Sequence, residues 1–404
     1  MSDFPMDVVT EILLRLPVKA LLRFRCVSKS WRNLIHGWDF VESHLKRSIE
    51  TKTHLSLILI HFSTYSVDFD SLDNAVELDH MLKSKPLGTQ VLGSCNGLIC
   101  LSHGLDDIAI WNPSTRKCRQ LPRAKIDYFE LGHVSYGFGY DAITDDYKVV
   151  KIFESKVQVC GMRLSSWKRI QDFPYYMRYG RGYGVLVGSA LHWVVTREPE
   201  LDNTANVIGA FDLSVEEYRL VPLPDHSDKT FHVNLGVLDG CLCITATSYG
   251  VRSDLWVMKD YGVEESWGKL LSVEQEVIRS FGFVIPLAYS KNGCEILMAQ
   301  DNKKFIWYDL EHNTVKNIEI RGLPDSFETV MGVESLIRLK GGDRLNRDGK
   351  GKNRRKNQKK NLKKRLMLPE SSTFALGQEM KRQCFENQMG RVPEDTDDGL
   401  RIIW

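Results

Sequence analysis

The chain has 404 residues, 43% hydrophobic and 26% charged, with a formal net charge of +2, which fits a globular protein long enough for one large domain and a small one. Its nine cysteines are odd in number and form no C-x-x-C pair, which argues for reduced thiols against a disulfide framework. No basic, apolar leader opens the sequence, and the run 55–62 is too short to cross a bilayer, so neither a secretory signal nor a membrane span is expected. The charge is uneven: residues 340–365 hold thirteen basic and two acidic side chains. The rest is therefore acidic on balance, and nucleic acid is not an expected partner of the body.

Residues 5–45 read as helix. Val9, Leu13 and Leu16 recur at helical spacing, with Val8 and Ile12 beside them and Asp7, Glu11 and Arg15 left for solvent. Pro17 stops that helix. A second helix is expected near 19–25, a third behind the N-cap Ser28, and a fourth turn capped by Asp39 and running to Leu45. So few residues cannot cover all their apolar side chains internally, so part of that surface should meet another protein.

The run from Pro5 to Trp31, PMDVVTEILLRLPVKALLRFRCVSKSW, closely resembles the F-box of plant F-box proteins, with Phe4 standing where the family usually has Leu. The resemblance implies docking onto a Skp-type adaptor and, through it, a cullin. Carried over position by position, the adaptor-facing residues would be Pro5, Ile12, Leu13, Leu16, Pro17, Leu21, Val27 and Trp31. Leu22, Phe24 and Leu34 would hold the helices together, and Arg23, Arg25 and Lys29 would rim an apolar patch suited to a helix-in-groove contact.

From His54 onward short apolar runs alternate with Gly, Asn, Asp and Pro, the pattern of strands and turns. Aromatics at Trp111, Phe211, Trp256 and Trp307 mark a unit of about 50 residues, with Tyr65 extending the series and a degenerate copy at 157–167. A four-stranded unit of that length repeated radially predicts a kelch-like propeller of about six blades; a pair of β-sandwiches is the alternative. The phrases SCNGLI at 94–99, WNPSTR at 111–116, GFGYD at 137–141 and DDYKVV at 145–150 resemble the F-box-associated interaction domain of plants. In the residues themselves, 112–115 read as a turn, Gly137 and Gly139 as sites of close approach, and Trp193, Trp256 and Trp307 as packing residues.

The expected fold is thus α+β and multidomain: an F-box helix cluster over 1–48, an all-β propeller-like substrate-binding domain over 49–339, and a basic, disordered tail over 340–404. Arg354, Arg355, Lys356, Lys359, Lys360, Lys363, Lys364 and Arg365 read either as a nuclear import signal or as a solvated charge run, so both cytoplasm and nucleus are expected locations. Cys241 and Cys243 share a strand face and are assigned to core packing, because no second Cys or His pair lies nearby. No metalloprotease, hydrolase, P-loop or dinucleotide signature occurs, so no catalytic, cofactor-binding or metal-binding residues are assigned.

The resemblance implies the substrate-recognition subunit of a Skp–cullin–F-box ubiquitin ligase, directing an unknown protein to degradation, with a role in plant defence. The alternatives are a protein-binding scaffold acting outside a ligase, and a kelch-type oxidase that would need copper.

Overall fold

The computed structural model describes residues 5–79, 89–104, 107–124, 134–177, 183–197, 207–224, 232–248, 251–278 and 281–339. The expected tail and its basic clusters at Arg354–Lys356 and Lys359–Arg365 lie outside the described residues. The chain divides into two compact units, Met1–Tyr289 with Cys294–Asp343, and Ser290–Gly293 with Arg344–Trp404; the helical head and the sheets belong to the first.

The head consists of α1 (Met6–Leu13), α2 (Val18–Phe24), α3 (Lys29–His36) and α4 (Trp38–Glu50). Pro5 and Pro17 sit at the first two N-caps, and the Ser28 hydroxyl caps the third by accepting from the Trp31 amide at 3.1 Å. Asp39 lies inside the first turn of α4, whose N-cap is Gly37, so the expected cap falls two residues earlier. The helix also continues to Glu50, past residue 48.

The strands follow in chain order. Blade 1 holds β1 (Leu55–Ile60), β2 (Thr64–Asp68) and β3 (Ala75–Leu78). Blade 2 is β4 (Gln90–Cys95), β5 (Leu98–His103), β6 (Asp107–Asn112) and β7 (Lys117–Gln120). Blade 3 is β8 (Val134–Asp141), β9 (Asp146–Phe153), β10 (Lys156–Gly161) and β11 (Trp167–Arg169). In blade 4 the short β12 (Tyr176–Met177) flanks β13 (Tyr183–Val187), β14 (Ala190–Thr196), β15 (Val207–Asp212) and β16 (Tyr218–Val221). Blade 5 is β17 (His232–Leu238), β18 (Cys241–Ser248), β19 (Arg252–Met258) and β20 (Trp267–Glu274), and blade 6 is β21 (Val284–Tyr289), β22 (Glu295–Gln300), β23 (Lys304–Asp309) and β24 (Thr314–Ile318). The last strand, β25 (Glu328–Val333), pairs with β1 as the innermost strand of blade 1 and so closes the ring. Six four-stranded units result among the described residues, blades 3 and 4 being joined by a short parallel pairing of β8 with β13.

The aromatics that set the sequence period, Tyr65, Trp111, Phe211, Trp256 and Trp307, all fall on the third strand of their blades. That strand ends in Asp68, Asn112, Asp212 or Asp309 in four blades, and each carboxylate or amide oxygen accepts main-chain N–H groups of the following turn. A second repeat was not read from the sequence. Trp167 and Trp267, opening the outer strands of blades 3 and 5, donate their indole N–H to the carbonyls of Pro122 and Pro222 in the preceding blades, at 2.7 and 2.9 Å. Adjacent blades are thereby stitched at their outer edges.

Gly137 is required by side chains, not by a backbone approach: a Cβ there would meet Leu191 Cδ1 at 2.6 Å and the Trp193 ring at 3.1 Å. Cys243 is fully buried in an apolar cluster with Leu238, Leu255 and Ile296, and burial pushes its thiol pKa up.

A strap formed by residues 334–339 joins head to propeller. Asn112, fully buried, donates to the carbonyls of Ser335 and Ile337 at 3.0 and 2.9 Å, while the Ser114 hydroxyl accepts from the Ser335 amide at 3.1 Å. Leu336, Ile337 and Leu339 then pack into one continuous core with Leu13, Val18 and Ile35 of the head and Leu98, Ile110 and Phe138 of blades 2 and 3. Gly97, at φ +75°, lies beneath this strap; a Cβ there would stand 2.4 Å from Ser335 Cβ.

Candidate adaptor-docking surface

The head faces two ways because its apolar residues are divided between two stripes. Leu13, Leu14, Val18, Leu21, Ile35, Phe40, Val41 and Leu45 turn inward and are buried in the core shared with the propeller. At about 25 cal/mol per Å² of apolar surface, each such side chain contributes roughly 2 kcal/mol. On α1, Pro5, Val8 and Ile12 follow helical spacing along the other side and remain exposed, Val8 at 42% and Ile12 at 52%; Met6 is also exposed.

Of the eight residues carried over from the resemblance, Pro5, Ile12, Pro17 and Val27 are exposed, Val27 at 60%. Leu16 and Trp31 are half-buried against the head's core, where Trp31 meets Phe24 edge-on at 5.7 Å. Leu13 and Leu21 are 1% and 0% exposed and lie in the core that includes the strap's Leu336, Ile337 and Leu339. Met6 and Val8, which the resemblance did not name, are exposed as well; the 5-8-12 spacing by itself does not say which stripe the propeller covers.

The positions of α1 and α4 are fixed from below. Fully buried His44 donates from Nε2 to the Leu16 carbonyl at 2.9 Å, and desolvation lowers its pKa, so the ring is neutral. Because α2 begins at Val18 with no side-chain cap of its own, its first amide donates to the Glu334 carboxylate of the strap at 2.7 Å. The strap's Arg338 donates to the His36 carbonyl at the end of α3 at 2.6 Å. Desolvation, together with the nearby guanidinium groups of Arg25, Arg338 and Arg32, lowers the His36 pKa. Arg23 and Lys29 are exposed as well, so α2 and α3 present several cations to solvent.

A helical head with a free apolar stripe, welded to a ring of six β-units, defines a class of adaptor-type protein. An F-box domain model matches residues 1–42, and an F-box associated beta propeller domain model matches residues 50–341; the chain belongs to the F-box proteins that carry this propeller. The F-box protein CPR1 of Arabidopsis thaliana is 39% identical over 379 residues, 86% of this chain and 91% of that protein. F-box protein At4g22390 of the same plant is 34% identical, covering 83% of this chain and 90% of its own length. The F-box/kelch-repeat protein At3g23880 is 32% identical over 67% of this chain and 79% of its own.

Proposed function

We propose that this protein is the substrate-recognition subunit of a Skp–cullin–F-box ubiquitin ligase that directs a bound target to ubiquitination and degradation. The observation carrying the reading is the exposed stripe Pro5, Val8 and Ile12, kept free while the rest of the head is anchored. A ligase of this kind works by proximity: a target held on the propeller and an adaptor held on the head raise the effective concentration of target lysines near the ubiquitin carrier. No nucleophile or general base is needed from this chain, and none is assigned.

Ile12→Asp places a charge in the stripe without touching the core, so pull-down of a recombinant Skp-type adaptor should fall at least tenfold with the melting temperature unchanged. Retention of adaptor binding by a doubly substituted Val8→Asp, Ile12→Asp chain would remove the ligase reading.

A place in plant defence belongs to the same proposal, as what the sequence resemblance implies. The basic run at 354–365 supports entry into the nucleus as well as residence in the cytoplasm. Replacing Arg354, Arg355, Lys356, Lys359, Lys360, Lys363, Lys364 and Arg365 by Gln should move a fluorescent fusion out of the nucleus; unchanged imaging would leave the run a solvated tail.

A further inference from the structure

The propeller's other face holds a cleft that the head does not use. Because each blade has four antiparallel strands, every inner strand starts on the same face and runs toward the head. In β25 the last residue, Val333, leads directly into the strap, while Glu328 lies five residues upstream, about 17 Å away along the strand. Glu328 therefore opens on the face away from the adaptor-docking stripe. There the β1–β2 hairpin carries Phe62, 71% exposed, its ring edge-on to His61 at 4.3 Å. Between Phe62 and Glu328 lies a cleft of about 300 Å³, lined also by Ile60, Thr89, Asn302 and Phe327. Phe327 is buried and stacks on Phe305 at 5.0 Å, which gives the cleft a fixed floor.

Glu328 has no Lys or Arg ion-pair partner among the described residues. Elsewhere the propeller pairs carboxylates with cations: Arg123 with Asp107 at 3.0 Å, Lys148 with Asp141 at 2.9 Å and Lys269 with Asp254 at 3.1 Å. Desolvation raises the Glu328 pKa, and the Val91 main chain is its one stabilising contact. An exposed carboxylate with no Lys or Arg partner among the described residues, lining one cleft with an exposed aromatic ring, complements a cation through an ion pair and a cation–π contact. The same carboxylate repels phosphate, which disfavours nucleic acids and anionic lipid.

We propose that the Glu328–Phe62 cleft receives a Lys or Arg side chain of the target protein and sets the target specificity of this receptor. The assignment rests on the ligase reading for its biological role, but the binding itself does not. The test is selection from a random dodecapeptide library on the full-length protein. Selected peptides should be enriched in Arg or Lys at one position. Glu328→Gln should weaken them about tenfold, the scale of one charge-assisted hydrogen bond, and Phe62→Ala about threefold. Selection of peptides without a basic residue, or equal binding by Glu328→Gln protein of unchanged melting temperature, overturns the proposal. Tighter binding of a peptide copying residues 350–365 would assign the cleft to the chain's own tail and overturn the assignment to a target. Adaptor pull-down from the same preparations separates the two readings. Loss of adaptor binding with Glu328-dependent peptide binding intact removes only the ligase reading, and the reverse removes only the cleft.

Discussion

Asp141 is fully buried, and desolvation by itself would raise its pKa. Thr144, Lys148 and Ser214 donate to its two oxygens, with Ser214 at 2.8 Å and Lys148 at 2.9 Å, and hold the carboxyl below the usual value. Lys148 also donates to the Leu213 carbonyl at 2.6 Å, so this ion pair bolts blade 3 to blade 4. The GFGYD and DDYKVV phrases thus do structural work, as their composition suggested, although the partner in the next blade was not legible. The neighbouring His192 is fully buried in a similar polar chain. Its Nδ1 donates to the Val185 carbonyl at 3.0 Å, and its Nε2 accepts from the Tyr261 hydroxyl at 2.5 Å, which in turn accepts from Arg219 at 3.0 Å. Desolvation, with the Arg219 charge adding to it, pushes the His192 pKa down to about 4 from 6.5. The unfolded chain therefore takes up this proton before the folded one does. Stability present above pH 6.5 is lost as the pH falls toward 4, by about 2 kcal/mol between pH 7 and pH 5. Urea titrations at the two pH values should show that loss, reduced in His192→Gln; a flat wild-type profile would count against the buried neutral ring.

Among the elements, α2 depends most visibly on a remote residue. Its N-terminal Pro17 offers no side-chain acceptor, so the Glu334 carboxylate of the strap both satisfies the Val18 amide and opposes the positive end of the helix dipole. Glu334→Ala should destabilise the protein by about 1 kcal/mol, read as a lower urea midpoint with unchanged slope. Glu334→Gln, which keeps an acceptor, should recover about half. An Ala variant as stable as wild type would show that water replaces the carboxylate. The third helix is the opposite case: Ser28 caps it from three residues away, and that relation is legible because it is local. Strand periodicity was legible for the same reason. The aromatic third strands repeat because each must fill the space between two blades, and the Asx turns that follow them repeat with them.

At the scale of the molecule, ring closure and the strap decide what the head can do. β25 pairs with β1 across more than 260 residues of intervening chain, a loop whose closure entropy is met only when all the blades are in place. The strap that follows gives the head and the propeller a single core. The exposed stripe proposed to dock an adaptor and the Glu328 cleft consequently sit on opposite faces of one body. In the proposed ligase such an arrangement would fix the distance from a bound target to the adaptor.

Local chemistry determined the four helices, the strand-and-turn alternation and the blade period, because caps, proline stops and 3.6- or 2-residue patterns act within a few residues of themselves. The sequence could also show that the head has more apolar surface than it can cover alone. It could not say which stripe the propeller covers, and Leu13 and Leu21 lie on the covered one, in the core shared with the strap. Tertiary structure alone decided that point, and it alone left Glu328 without a cation beside Phe62. Burial and ion pairing at these sites depend on residues more than two hundred positions apart, whose approach is set by closure of the ring.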